Sequence, residues 1–214
     1  MTRKGRFIVF EGINGCGKGT QMQLLAEYIY GLSRDRTIFI TREPNEFDEN
    51  GRKAREMLTS DKNPYEKGLE AVNHFAWNRT THNRIFVPML YLGIDVLSDR
   101  YYHSNFAFQH TQGISYEDIA RANKSARIPD LTFILDVKPK EAARRLKKRD
   151  GGYGRKFDSH LDFMMEVFKN YESLGRILPG LMGDMGICYI NGMQPAEDVW
   201  KEVRAAFDSK FKKE

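Results

Sequence analysis

Short apolar runs rich in Ile, Val and Phe alternate along this chain with longer segments whose apolar residues recur every three or four positions. The short runs have the length of buried strands, and the longer segments have the period of helices that pack on a sheet. Strands that alternate with helices predict a parallel sheet in an α/β domain. We expect strands at Phe7–Phe10, Thr37–Ile40, Asp95–Ser98, Leu131–Asp136 and Ile187–Ile190.

The helical period is clearest in three segments. The first is expected to end at Gly31, because glycine is common just past a helix end. The last is expected to have Pro195 at its first position, which suits proline. No repeat or low-complexity linker interrupts the pattern, so a single domain spanning residues 1–214 is expected. The apolar positions that define these segments are Met22, Leu25, Ala26 and Ile29, then Ala143 and Leu146, then Val199, Val203 and Phe207.

Composition narrows the classes of partner. The 214 residues are 41% hydrophobic, and 34 Lys and Arg against 29 Asp and Glu give a formal charge of +5, a mild excess that suits anionic ligands without indicating nucleic acid. No apolar stretch approaches the ~20 residues that span a bilayer, and no signal peptide is evident. Cys16 and Cys188 lack metal-ligand spacing, which fits a reduced, cytoplasmic setting.

A glycine-rich segment lies where the first strand ends and the first helix begins. Its glycines let backbone N–H groups point inward, and the helix N-terminus adds partial positive charge, so it is expected to wrap a polyphosphate. Lys18 is expected to reach the β- and γ-phosphates. Gly19 replaces the hydroxyl residue that usually follows this lysine. The expected phosphate-binding residues are Gly12, Asn14, Gly15, Cys16, Gly17, Lys18, Gly19 and Thr20.

Three further segments indicate what receives the phosphate. Thr41–Pro44 follows the second strand, Phe75–Arg79 lies in a helical segment, and Asp99–Gln109 follows the third strand. In open α/β sheets, ligands bind at the carboxyl ends of the strands. Together with the phosphate loop, these segments resemble thymidylate kinases, whose pattern combines Phe-Glu-Gly, Arg-Glu-Pro, Phe-Ala-x-x-Arg and Asp-Arg-x-x-x-Ser-x-x-Ala-Phe-Gln. The resemblance covers most of the chain, from Phe7 to about Asn191.

The resemblance implies a fold, a reaction and partners. The fold is a three-layer α/β P-loop kinase domain, in which helices flank a five-stranded parallel sheet. The domain also has a short mobile lid. The reaction transfers the γ-phosphate of ATP to dTMP to give dTDP and ADP, in dTTP biosynthesis, with Mg²⁺ as the metal. A cytoplasmic homodimer that binds neither nucleic acid nor membrane is also implied.

For the nucleoside, the resemblance implies that Phe75 stacks on thymine and that Arg79 donates a hydrogen bond to a base carbonyl. Thymine O4 accepts where cytosine carries an amino donor, so an arginine, which only donates, selects against cytosine. Ser104 and Gln109 would complete the contacts with the base edge. Phe108 would press against the sugar where a 2′-hydroxyl projects.

For the phosphate, the resemblance implies that Arg100 is a charge-assisted clamp and that Arg42 also contacts the substrate. Asp99 would hold Mg²⁺ through water. Asn14 stands where the family usually carries Asp or Glu, whose carboxylate accepts from the sugar 3′-hydroxyl, so discrimination at that position is left open.

Phosphoryl transfer also needs a cation for the charge that develops on the transferred group. No arginine lies in the phosphate loop, so this cation is expected from the lid. The glycine-rich segment at about 149–157 stands in the lid's place, and Arg149 and Arg155 are the expected cations.

Other interpretations of the phosphate loop stay open at this point. A GTPase needs a guanine-reading Asn-Lys-x-Asp, and Asn123–Ala126 lacks the carboxylate. A deoxynucleoside kinase would phosphorylate a nucleoside hydroxyl with a nearby carboxylate as base, a part that Glu11 could take. A nucleotide-binding protein without turnover would account for the departures at Asn14 and Gly19.

Overall fold

The computed structural model describes residues 4–59, 63–150 and 160–211. Five parallel strands form one sheet in the order β2-β3-β1-β4-β5, which confirms the predicted fold class. Each predicted strand is present, with ends within two residues of those expected. The strands are β1 (Phe7–Glu11), β2 (Ile38–Arg42), β3 (Asp95–Asp99), β4 (Leu131–Asp136) and β5 (Ile187–Asn191).

Helices follow the strands as the alternating pattern predicted. The first helix continues through Gly31 to Leu32, so the predicted stop is wrong: Gly31 does not adopt the positive φ with which glycine ends a helix. None of the helices in the described ranges has the length and apolar character that crossing a bilayer requires. The helices are α1 (Lys18–Leu32), α2 (Glu49–Thr59), α3 (Gly68–Tyr91), α4 (Tyr102–Thr111), α5 (Tyr116–Ala122), α6 (Pro139–Asp150), α7 (Leu161–Met182) and α8 (Ala196–Phe211).

The central strand β1 sets the position of the functional edge. All five of its residues are buried, as an uninterrupted apolar run predicts for a strand covered on both faces. The register pairs Phe10 with Asp99, and Asp99 with Arg42. The carboxyl ends of β1, β2 and β3 therefore bring the phosphate loop, Arg42 and Asp99 to one edge of the sheet.

Aromatic packing fixes α4 beside this edge. The Phe7 ring lies 4.5 Å from the Phe86 ring of α3 and 5.0 Å from the Tyr101 ring just before α4, measured between centroids. Helix α4 in turn packs against α7. These contacts leave a space between α3, α4 and the phosphate loop, and that space is the candidate site.

A buried ion cluster ties the opposite end of the sheet together. Asp95 Oδ1 accepts from Arg6 Nε at 3.0 Å, and Asp95 Oδ2 accepts from Arg36 Nη1 at 2.6 Å. Burial acts to raise the pKa of Asp95, but hydrogen bonds and charge from Arg6, with charge from Arg36, hold that pKa below its ordinary value. The carboxylate is therefore stabilised in its charged form.

Candidate active site

The phosphate loop depends on glycines at particular positions. Gly12, Gly15 and Gly17 have φ angles of 125°, 84° and 101°, a region that favours glycine. A Cβ on Gly12 would lie 2.8 Å from the Leu135 carbonyl oxygen, and one on Gly15 would lie 2.5 Å from that of Ala142. Because these glycines have no side chain, the loop can turn tightly against β4 and α6, and larger residues would not fit there.

The loop leads directly into α1. Gly17 occupies the position before the helix and has no side chain to cap it, so the first N–H groups keep their capacity to bind an anion. Lys18 is buried, and its Nζ donates to the carbonyl oxygens of Gly12 at 3.0 Å and Ile13 at 3.1 Å. The Lys18 ammonium group therefore lies against the loop whose N–H groups would hold the phosphates. Thr20, two positions further on, is exposed.

A pocket of about 540 Å³ of empty space, partly open to solvent, lies beside the loop. It brings together every residue that the resemblance assigned to dTMP except Arg42, together with Asn14 from the phosphate loop. These residues lie on the phosphate loop, on α3, and on α4 with the turn before it. They come together because α3 and α4 both pack near the carboxyl end of β1. The predicted residues that line the pocket are Asn14, Phe75, Arg79, Arg100, Ser104, Phe108 and Gln109.

Arg100 connects this pocket to the phosphate loop. Its Nη2 donates to Asn14 Oδ1 at 2.7 Å, its Nη1 donates to Ser104 Oγ at 3.1 Å and Tyr171 Oη at 3.2 Å, and its guanidinium lies 5.6 Å from the Phe108 ring centroid. Burial acts to lower the pKa of Arg100, but nearby groups, Tyr171 and Glu11 foremost, raise that pKa above its ordinary value. The Arg100 side chain therefore stays positively charged.

The backbone of Arg100 is also unusual. Its φ is 76°, in the left-handed region, and its N–H donates to the Phe10 carbonyl oxygen at 2.9 Å. This conformation costs a non-glycine residue about 1–3 kcal/mol, and such strain is concentrated at functional sites. From this backbone position the side chain reaches Asn14 of the phosphate loop.

Glu11 organises the Arg100 surroundings, a role that sequence reasoning missed. Its Oε1 accepts from the backbone N–H of Tyr101 at 2.7 Å and of Ser104 at 3.2 Å. Its Oε2 accepts from Ser104 Oγ at 2.8 Å and from Tyr171 Oη at 2.9 Å. Burial, and then the Glu11 charge, raises the pKa of Tyr171 well above its ordinary value, so that hydroxyl stays protonated as a donor.

Arg79 is held by protein groups on the pocket wall. Its Nε and Nη2 contact Glu43 Oε2 at 2.8 and 2.6 Å, and its Nη1 donates to Asn105 Oδ1 at 3.0 Å and to Asn123 Oδ1. Glu43 Oε1 in turn lies 2.9 Å from His82 Nδ1. Asn123, considered above as part of a guanine-reading motif, is thus a buried partner of Arg79.

Arg42 and Asp99 face a different groove. They line an open depression of about 980 Å³ of empty space beside β2, so Arg42 does not join the other predicted dTMP residues in the pocket. Asp99 Oδ1 is a buried atom with no hydrogen-bond partner among the described residues. The described residues contain no group of three or more His, Cys, Asp or Glu that could hold a metal ion.

The predicted lid is described only at its start. Arg149 is exposed in the last turn of α6, next to Lys147 and Lys148. Arg155 and the rest of the predicted lid to residue 157 lie outside the described residues.

Glu11 and Tyr171 differ in whether the sequence could have identified them. Glu11 lies inside the quoted Phe-Glu-Gly motif, so the motif could have singled it out. Tyr171 is 160 positions away from Glu11 on α7, where it has the period of an ordinary core residue. Only the fold brings the two together.

A phosphate loop at the end of the central strand, beside a pocket lined by a buried arginine, defines a P-loop phosphotransferase with a separate acceptor site. The family model described as thymidylate kinase matches residues 10–203. The chain therefore belongs to the thymidylate kinase family, whose members are nucleoside monophosphate kinases.

Individual relatives agree with this assignment. The chain is 35% identical to a probable thymidylate kinase of Pyrococcus abyssi over 94% of this chain and 95% of the relative. It is 32% identical to a probable thymidylate kinase of Thermococcus kodakarensis over 95% of this chain and 97% of the relative. The crystal structure of thymidylate kinase from Ehrlichia chaffeensis superimposes with a TM-score of 0.70 at 25% identity, covering 96% of this chain and 98% of that one.

Proposed function

We propose that this chain transfers the γ-phosphate of ATP to dTMP, giving dTDP and ADP, as a step in dTTP biosynthesis. The observation that carries the proposal is the position of Arg100, a fixed cation in the pocket that is bonded to Asn14 of the phosphate loop. A monophosphate bound by Arg100 would lie next to a polyphosphate in the loop, which is the proximity that phosphoryl transfer needs.

The pocket suits a thymine base. Phe75 offers an aromatic ring at its wall, and Gln109 offers an amide. A guanidinium has five N–H donors, and the four contacts of Arg79 with described residues leave one at Nη2 for a ligand carbonyl such as thymine O4. We assign this contact to Arg79, with Ser104 and Gln109 completing the base edge.

The sugar and phosphate would lie between Phe108 and Arg100. Phe108 is packed from behind by Tyr171, with the two rings 6.4 Å apart and nearly perpendicular. A ring supported in this way has little freedom to yield to a 2′-hydroxyl, so it favours deoxyribose. Arg42 would reach the substrate from the neighbouring groove.

The donor side would use the glycine-rich loop, with Lys18 on the β- and γ-phosphates. Mg²⁺, when bound, neutralises the charge of the ATP phosphates, and the unpartnered Asp99 Oδ1 is the oxygen that would hold its water. Arg149 and Arg155 would supply the cation that the loop lacks.

One competing reaction fits the geometry less well. A deoxynucleoside kinase would need a carboxylate free to accept a proton from the nucleoside hydroxyl. Glu11 is fully buried, and both its oxygens accept hydrogen bonds from Tyr101, Ser104 and Tyr171. It therefore acts as an organiser of Arg100 rather than as a base.

The test is a coupled ATP-to-ADP assay with and without Mg²⁺ across dTMP, thymidine, AMP, CMP, GMP and the ribose counterpart of dTMP. We expect Mg²⁺-dependent turnover that is fastest with dTMP. Faster turnover of thymidine would identify a nucleoside kinase, and equal turnover of AMP, CMP or GMP would contradict the proposed specificity. ATP and nucleotide binding without ADP formation would identify a non-catalytic protein.

We also propose a homodimer in the cytoplasm, where both substrates occur. Leu69, Trp77 and Tyr91 on α3 are 54–67% exposed and fall within about 80° of one another around the helix axis. Exposed apolar side chains on one side of a helix are surface that association would cover. Sedimentation equilibrium distinguishes a dimer from a monomer.

A further inference from the structure

The hydroxyl of Tyr189 is hydrogen-bonded to the backbone of helix α7, which is continuous from Leu161 to Met182. It accepts from the Gly175 N–H at 2.9 Å and donates to the carbonyl oxygen of Tyr171 at 2.9 Å, with the Glu172 carbonyl oxygen at 3.1 Å. Gly175 N and Tyr171 O are the two groups that a regular α-helix bonds to each other. A side chain bonded to both groups links the position of this turn to its own position on β5.

Gly175 makes this contact possible. A Cβ on Gly175 would lie 3.0 Å from Tyr189 Cε2 and 3.3 Å from its hydroxyl. Glycine inside a helix is otherwise unfavourable, so close approach of the Tyr189 ring is a physical reason for it here. Burial raises the pKa of Tyr189, which keeps its hydroxyl protonated and able to donate.

The turn that Tyr189 contacts is the one that carries Tyr171. The Tyr171 hydroxyl donates to Glu11 Oε2 and accepts from Arg100 Nη1, at 2.9 and 3.2 Å, and lies 3.1 Å from Ser104 Oγ. A shift of the α7 backbone at Tyr171 therefore moves a partner of Arg100. Tyr189 lies on β5, at the edge of the sheet, and its hydroxyl bonds to the α7 backbone rather than to Arg100.

We propose that Tyr189 is a positioning residue, which sets the place of Arg100 through the α7 backbone and the Tyr171 hydroxyl. The inference rests on the proposed role of Arg100 as the clamp for the acceptor phosphate. Because Arg100 acts on the acceptor and not on the donor, loss of Tyr189 should change the kinetics of one substrate only.

The first test is Tyr189→Phe, assayed with dTMP and ATP varied in turn. We expect KM for dTMP to rise about 2- to 10-fold, the scale of one neutral hydrogen bond, while KM for ATP stays unchanged. Tyr30→Phe, which removes an exposed hydroxyl on α1, is the matched control and should match wild type. A merely structural loss would reduce the active fraction, lowering kcat with both KM values unchanged, and that result would overturn the inference.

The second test displaces the ring instead of removing its hydroxyl. Gly175→Ala should give the same selective rise in KM for dTMP, because its Cβ would crowd Tyr189. Gly180→Ala is the matched control in the same helix, since a Cβ there meets nothing within 4 Å. Equal kinetics for the two alanine variants would contradict the inference.

The route through Tyr171 is tested by a double-mutant cycle. In a Tyr171→Phe background, Tyr189→Phe should add no further rise in KM for dTMP, whereas independent effects would multiply and overturn the proposed route. A wild-type protein without dTMP kinase activity would overturn the proposed function and this inference together. An active wild type with an unchanged Tyr189→Phe variant would overturn the inference alone.

Discussion

Arg100 donates from Nη2 to the side-chain oxygen of Asn14 at 2.7 Å, and this bond joins the acceptor pocket to the phosphate loop. Asn14 is a neutral acceptor where thymidylate kinases usually carry a carboxylate. The bond therefore leaves more of the Arg100 charge available to an incoming phosphate than an ion pair would. It also means that Asn14 has two candidate partners, Arg100 and the sugar 3′-hydroxyl.

Asn14→Asp separates these two roles. A charged acceptor bonds a hydroxyl more strongly than an amide does, by about 1 kcal/mol or roughly 5-fold. We expect the variant to increase the ratio of kcat/KM for dTMP over its 3′-deoxy analogue by about that factor. An unchanged ratio would show that Asn14 holds Arg100 and does not contact the sugar.

Lys18→Ala should lower kcat about 10²-fold or more, because it removes the positive charge at the transferring phosphate. Steady-state kinetics measure the rate, and calorimetric titration measures whether dTMP binding is retained. Lys53→Ala is the control, since its exposed ion pair with Glu49 contributes little to stability. Near-normal turnover of Lys18→Ala would remove this lysine from the mechanism.

Arg79→Ala should affect both stability and substrate binding. Removing one member of a buried ion pair leaves Glu43 without its arginine partner and costs about 3–5 kcal/mol, or roughly 6–20 °C in melting temperature for a domain of this size. Below the melting transition, dTMP affinity should fall about 10- to 150-fold with ATP affinity little changed, since one charged donor is lost.

Arg84→Ala, an exposed change on the same helix, is the control for both measurements. Equal losses of ATP and dTMP affinity in Arg79→Ala would show that Arg79 is structural and does not read the base.

Arg149→Ala or Arg155→Ala should lower kcat and kcat/KM together, with dissociation constants for ATP and dTMP nearly unchanged, because a cation that acts only in the transition state changes rate and not binding. Lysine at the operative position should recover little, since it cannot reproduce the bidentate fork of arginine. Arg144→Ala, on the exposed face of α6, is the control. Wild-type kcat in both single variants and in the double variant would contradict the lid assignment.

Asp95 makes the stability of the fold depend on acid pH. Because its folded pKa lies below the ordinary 3.8, its contribution is fully present above that value and is lost as pH falls through the lowered pKa. Asp95→Asn should be less stable than wild type at pH 7, by about 3 kcal/mol. Thermal unfolding from pH 7 to pH 2 should show the two curves converging only at the acid end. A constant difference in melting temperature between the two proteins across this range would show that the Asp95 charge is not what stabilises the cluster.

The sequence by itself determined the succession of strands and helices along the chain, the phosphate loop and the family. These depend on the local spacing of apolar residues and on motifs within short segments. The apolar run of β1 predicts a strand buried on both faces, and Gly12, Gly15 and Gly17 predict a turn that only glycine can adopt. The sequence also located part of the pocket lining, since the Phe-Ala-x-x-Arg and Asp-Arg motifs each span a few positions, but it did not predict Glu43, Leu58 or Asn105 there.

Only the tertiary structure decided how those residues are held. Glu11 meets Tyr171 because α7 packs on α4, and Tyr189 meets Tyr171 because β5 lies beside that helix. It also separated Arg42 from the pocket, since its strand neighbour is Asp99 and both face the outer groove. Contacts between distant segments depend on packing angles and side-chain burial, and a linear pattern of apolar and polar positions does not contain these.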